Sequence, residues 1–304
     1  MLNFLIRWNN FNNFLKMDKK ILFLGCGKMG SILLSRLVED AKFKAQQIAI
    51  VKNNLDKEIF TNKKNWYEDL LIVDNCGNLP SNYCADIIFI CVKPQDAVFA
   101  TSKMLNCNII SSNTIFISIL AGKTINFLEE IFKQFIDNPK IVRTMPNLPI
   151  QCGKGIFAYK VNQNLQQEEV SFLESIFSSF GELLLLEDED LFNVVTAIFG
   201  SGPAYIFLLQ EILVNIATKN GIKEEQAVRL VNHLFFGSSL MVEKYIADDT
   251  KLNLQSLIEL REQVTSKKGT TESAIAILTH NDQLKNIFIE AVDSAIARSK
   301  SLSS

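Results

Sequence analysis

The residues best placed to do chemistry stand in one short stretch, Gly25-Cys26-Gly27-Lys28-Met29-Gly30. Three glycines at this spacing make a G-x-G-x-x-G turn. Before it, Ile21–Leu24 is a continuous apolar run, the pattern of a strand buried on both faces. After it, Met29, Ile32, Leu33 and Leu37 recur at helical spacing. Strand, turn and helix in that order are the context of a dinucleotide fingerprint. Gly25 permits the tight turn, Gly27 lets the backbone approach a pyrophosphate, and Gly30 lets helix and strand pack closely. Free N–H groups and the dipole at the helix start favour phosphate there.

The elements that must position this turn follow in order. Ile48–Val51 reads as the second strand and ends in Lys52-Asn53-Asn54. An acid at this strand tip would bond the ribose 2′-OH of NAD. None is there, and Asp56 comes several residues later. Lys52 and Asn53 suit a 2′-phosphate instead, so NADPH is expected, with NADH the weaker alternative. Further strands are read at Leu70–Val73, Ile87–Val92, Ile115–Ile119, Lys140–Arg143, Gly155–Val161 and Glu182–Glu187. Helices are expected from about Gln95, from about Thr124 and across 166–180. Alternating strands and helices predict a Rossmann-type, doubly wound, mainly parallel α/β sheet. Ligands in such sheets sit beyond the strand carboxyl ends. The turns after Leu24, Val51, Val73, Val92 and Ile119 are therefore the candidates for contact.

From Asp188 the pattern is helical to the end, broken at Gly200-Ser201-Gly202-Pro203. Ile206, Leu209, Leu213 and Ile216 form one stripe, while Phe207, Leu208 and Ile212 lie on other faces. Helices apolar on several sides need burial, and one small helical domain offers little interior. An all-helical dimerisation domain over 188–304, behind a dinucleotide domain over 17–187, is the economical reading. Late in the helical part, Val264–Thr271 forms a polar, glycine-bearing entry to a helix over 272–279, a natural place for an anionic substrate group. Residues 1–16 carry one arginine, no serine and no small-residue cleavage site, and are expected to be an extension outside the domain, with Met17 as start.

Bulk properties narrow the class. The 304 residues are 48% hydrophobic and 21% charged with net charge −2, ordinary globular usage with no basic face for nucleic acid. No uninterrupted apolar run approaches the ~18–20 residues of a membrane span. The six cysteines have no C-x-x-C spacing, which fits a reducing, cytoplasmic setting. His233 and His280 are the only histidines, so neither a metal centre nor a Ser-His-Asp site is indicated.

Three stretches together resemble the pyrroline-5-carboxylate reductase family. They are the glycine turn with Cys91-Val92-Lys93-Pro94; Arg143-Thr144-Met145-Pro146-Asn147; and Gly200-Ser201-Gly202-Pro203-Ala204-Tyr205 with Val264–Thr271. The resemblance runs from about Lys19 to Arg298. It implies a cofactor path of Gly25, Cys26, Gly27, Lys28, Met29, Gly30, Lys52, Asn53, Asn75, Val92, Lys93, Pro94 and Ala121. It implies a substrate carboxylate at Ser266, Gly269, Thr270 and Thr271, with the Thr271 hydroxyl at the ring nitrogen. It implies a homodimer through the helical domain, often in a ring of dimers, with each site borrowing from a second chain. Where the family usually has Pro-Gly before the last glycine of the loop, this chain has Lys267-Lys268. The stretch 246–257 is also longer than usual, which blurs any acidic contact such as Asp249.

The implied reaction moves a hydride from NADPH to the C=N carbon of a cyclic imino acid, giving L-proline. Other readings are a reductase of another cyclic imine or a small β-hydroxy acid, or an NADP-binding dimer without activity. A chain starting at Met17 is expected to match the full chain in Tm and turnover. A clear drop in either would show that residues 1–16 dock on the domain.

Overall fold

The computed structural model describes residues 19–52, 65–247 and 253–303. The extension, Asn53, Asp56 and Asp249 lie outside them. The chain divides into two compact units. One runs to Ser201 and takes in Ala295–Ser304; the other is Gly202–Ser294.

The first unit is an eight-stranded sheet: β1 Ile21–Leu24, β2 Ile48–Val51, β3 Leu71–Val73, β4 Ile87–Ile90, β5 Ile115–Ser118, β6 Lys140–Pro146, β7 Gly155–Val161 and β8 Gly181–Leu185. Their order is β3-β2-β1-β4-β5-β6-β7-β8. β1 pairs in parallel with β2 on one side and β4 on the other, so the order reverses at β1. A doubly wound sheet opens a crevice at such a point. Successive side chains alternate between two cores. Ile21, Phe23, Ile50 and Phe89 pack on α1 (Lys28–Glu39), through Leu33, Leu34 and Leu37. That face also takes Phe172, Leu173 and Phe177 of a helix at Gln167–Phe177. Leu22, Leu24, Ile88 and Ile90 face α2 (Ala97–Leu105) and α3 (Ile125–Phe132), which give Met104, Leu128 and Phe132. We number the helix at 167–177 α4.

β6 and β7 pair antiparallel, and β8 is parallel to β7. Only a short turn, Leu148–Cys152, lies between β6 and β7. A parallel return needs a crossover of a dozen or more residues, so the strand must reverse. β6 also continues to Pro146, past the expected end at Arg143.

The Arg143–Asn147 stretch holds this edge together. Arg143 is buried, stacks 4.2 Å from the Phe192 ring centre and pairs with Glu189 at 2.7 Å. Glu189 also accepts from the Ile125 N–H at 3.0 Å, satisfying a free donor at the start of α3. The Thr144 hydroxyl donates to the Ser118 carbonyl at 2.9 Å. Asn147 accepts from the Ile156 N–H and donates to the Phe199 carbonyl.

Helices α5 (Leu191–Val195), α6 (Gly202–Lys219), α7 (Glu224–Ala247), α8 (Leu254–Gln263), α9 (Thr270–Leu278) and α10 (Gln283–Ser303) follow. Among the described residues of Gly202–Ser294, only Ala227 and Val231 are buried. Phe207, Leu208, Leu230, Leu234 and Phe236 are all more than half exposed. So large an apolar surface marks an interaction face. Leu191–Lys219 is long and apolar enough by length and composition to cross a membrane, which a count of uninterrupted apolar residues misses.

Removing the Glu189 carboxylate leaves Arg143 buried with its charge unpaired. Glu189→Ala should lower unfolding free energy by about 3 kcal/mol. Glu189→Gln, which keeps an acceptor, should cost less. Urea melts of both variants that match the unsubstituted chain would show the pair contributes nothing.

Candidate functional site

The glycine turn is built against the end of β4. Gly25 has φ 78°, and a Cβ there would lie 2.7 Å from Val92 Cγ1 and 2.9 Å from Val92 N. Its N–H donates to the Val51 carbonyl at 2.8 Å, tying the turn to β2 as well. Gly27 precedes α1 without a side-chain cap, and a Cβ on it would meet nothing within 4 Å. That is open space in front of unpaired helix N–H groups. At Gly30 a Cβ would sit 3.2 Å from Cys91 Cβ, so α1 and the end of β4 are in close contact.

A cleft of about 500 Å³ opens over these strand ends. Gly25, Cys26, Gly27, Lys52, Asn75, Val92 and Lys93 line it. Lys28, Met29, Gly30, Pro94 and Ala121 do not line it, although Lys28 begins α1 and Pro94 begins the turn before α2. Asp74, Cys76, Asp96, Phe99, Ala100 and Lys103 line it too, and the sequence reading missed them. The last four stand at i, i+3, i+4 and i+7, a spacing that marks one helix face.

Of the three lysines and two aspartates that line the cleft, Lys52 is the one left buried without a partner. Its Nζ is buried and has no hydrogen-bond partner. A buried ammonium without a partner is costly, and an anion is what would offset it. Burial pushes the Cys26 thiol up to about 12, with the Lys52 charge pulling weakly the other way. Burial also raises Cys91 well above the ordinary thiol range. Both stay neutral, so no thiolate opposes a phosphate at the turn. The open Gly27 cradle and the orphaned Lys52 ammonium fit a dinucleotide carrying an extra phosphate.

Ser266, Gly269, Thr270 and Thr271 lie in the second unit. Ser266–Gly269 is a tight turn closed by the Gly269 N–H on the Ser266 carbonyl at 3.0 Å. Lys268 is its third residue and has φ 59°. A turn with positive φ at that position prefers proline then glycine, the pair that Lys267-Lys268 replaces. The backbone keeps the turn despite the side chain. The Lys268 N–H donates to the Glu272 carboxylate at 2.7 Å, which helps hold it. A Cβ at Gly269 would lie 2.4 Å from Ser266 Oγ and 3.0 Å from the Ser266 carbonyl oxygen, so a side chain here would crowd the turn. Thr270 and Thr271 then open α9, where the first N–H groups have no partner within the helix.

Strain at Lys268 is testable. Lys268→Val should cost about 1–2 kcal/mol, because a β-branched residue tolerates positive φ least. Lys268→Gly should leave stability unchanged or higher. Chemical denaturation reads both, and an unaffected Val variant would show that the turn relaxes.

Comparison with known proteins covers 93–95% of the chain. Residues 189–302 match the family model described as pyrroline-5-carboxylate reductase dimerisation, and 20–122 match that described as NADP oxidoreductase coenzyme F420-dependent. The chain is 28% identical over 284 residues to the pyrroline-5-carboxylate reductase of Staphylococcus haemolyticus, covering 93% of this chain and 98% of the relative. It is similar to the solved Plasmodium falciparum pyrroline carboxylate reductase with NADP bound, at 29% identity and TM-score 0.76, over 95% and 100% of the two chains. For the Coxiella burnetii pyrroline-5-carboxylate reductase the values are 28%, 0.78, 94% and 99%. A sheet that reverses order at a glycine turn, a helical region matched almost end to end and relatives aligned over their full length agree: over nearly its whole length the chain is similar to pyrroline-5-carboxylate reductases, and residues 189–302 match the dimerisation region of that family.

Proposed function

We propose that this protein reduces L-1-pyrroline-5-carboxylate to L-proline with NADPH, the final step of proline synthesis. The observation that carries this is the buried, unpartnered Lys52 ammonium in the crevice of a chain that aligns end to end with these reductases. NADPH, when bound, supplies the hydride. Gly25, Cys26, Gly27, Lys28, Met29 and Gly30, with the N–H groups that open α1, hold the pyrophosphate. Lys52 and Asn53 take the 2′-phosphate. Asn75, Val92, Lys93, Pro94 and Ala121 carry the rest of the cofactor path.

The substrate carboxylate sits at Ser266, Gly269 and Thr270, on the N-terminus of α9. Thr271 donates its hydroxyl hydrogen bond at the ring nitrogen. The nitrogen takes its proton from water, which makes the C=N carbon more electrophilic without a protein base. Catalysis is mainly placement of donor and acceptor atoms within about 3–3.5 Å. The exposed apolar faces of α6 and α7 form a homodimer, and a ring of such dimers is the larger assembly. The protein works in the cytoplasm, with no membrane or nucleic-acid partner.

NADPH oxidation that depends on pyrroline-5-carboxylate is the direct test. Turnover only with another imine or a β-hydroxy acid would overturn the substrate, and NADPH binding without turnover would overturn the activity. Thr271→Val should lower kcat about tenfold or more, as one hydrogen bond to a charged group is lost. Full turnover in that variant would detach the substrate from this loop. Lys52→Met should weaken NADPH about fivefold more than NADH, and equal losses would remove Lys52 from the 2′-phosphate.

A further inference from the structure

One wall of the cleft is a face of α2. Its other side is anchored in the core by Ala97, Thr101, Met104 and Leu105. The cleft side carries Phe99 and Lys103, one turn apart. Phe99 is 69% exposed, whereas Phe23, Phe89, Phe116 and Phe132 are fully buried. A phenyl ring left in water on a cleft wall is a face for a flat ligand group. Lys103 lies beside Cys76, whose thiol its charge pulls down against the larger effect of burial. Cys76 follows β3 and Lys52 follows β2, and Lys103 lines the same cleft as both. Among the described residues no ion pair holds either lysine. Three lysines, Lys52, Lys93 and Lys103, line the cleft with two carboxylates, Asp74 and Asp96, which leaves it net positive, and a phosphate dianion between Lys52 and Lys103 would turn their mutual repulsion into attraction.

We propose that α2 reads the adenosine end of NADPH: Lys103 joins Lys52 on the 2′-phosphate, and the Phe99 ring stacks on the adenine. The proposal rests on the reading of this cleft as the dinucleotide site and adds residues from an element outside the glycine fingerprint. It separates two tasks along one helix face. Lys103 distinguishes the phosphorylated cofactor from the plain one, because only NADPH offers it a partner. Phe99 favours both cofactors equally, because both carry adenine.

Binding to the full chain, measured by calorimetry with NADPH, NADH and 2′,5′-ADP, tests this without relying on turnover. Lys103→Met should weaken NADPH and 2′,5′-ADP about fivefold and leave NADH unchanged, and Lys103→Arg should retain most of the affinity. Phe99→Ala should weaken both dinucleotides by a similar factor of about ten, with Phe99→Tyr close to the unsubstituted chain. Both side chains point into the cleft and away from the core, so the variants should fold normally, which their melting curves will show. Equal losses for NADPH and NADH in Lys103→Met, or none, would overturn the phosphate role. An unchanged Phe99→Ala would overturn the adenine role. An unsubstituted chain that binds neither dinucleotide would overturn the reading of the cleft, and the proposal with it.

Discussion

The structure depends on the contact between Gly25 and Val92. At this point β1 ends, α1 begins and β4 leaves the sheet, and there is no room for a side chain. With β1 locked between β2 and β4 at the fixed spacing of a sheet, the residues beyond all three strands are placed relative to one another. Lys52, Asn75 and Lys93 therefore reach one cleft although the sequence separates them widely. A larger residue at 25 would push β4 away, and the cleft would lose its floor rather than a single contact.

The Arg143–Asn147 stretch has a different role from the glycine turn. As a motif it invites a catalytic reading. In the structure its polar atoms are spent on the fold: an ion pair with Glu189, a hydrogen bond to β5, and a two-way amide bridge from β7 to the segment before Ser201. Glu189 shows how such a network shares its cost. One carboxylate oxygen pairs with a buried guanidinium and also serves the open start of α3, so a single acceptor satisfies two donors.

Much of this was legible in the sequence because the strands are short apolar runs buried on both faces. Ile21–Leu24, Ile48–Val51 and Gly155–Val161 stand where the pattern put them. The exit of β6 was not legible, since Met145 and Pro146 carry no alternation that distinguishes a strand from a loop, and pairing with β7 extends it. The α2 wall was not legible because nothing in the spacing of Phe99 and Lys103 along the helix distinguishes a cleft face from a solvated one. Lys268 is the reverse case. Its departure from Pro-Gly was plain in the sequence, but only the backbone angle shows that the turn survived the change.

Among its described residues the helical unit buries just Ala227 and Val231 within its own chain, while Phe207, Leu230 and Phe236 stay in water. If its partner surface is a second copy, folding and association should be one equilibrium for this half of the molecule, not two events in sequence. Its stability has no single value but rises with protein concentration. Dilution alone should then act as a denaturant, and the Rossmann half, with its own two-sided core, should escape that dependence. Heat and dilution should therefore part the two halves of one polypeptide, which share a chain but not a law of stability.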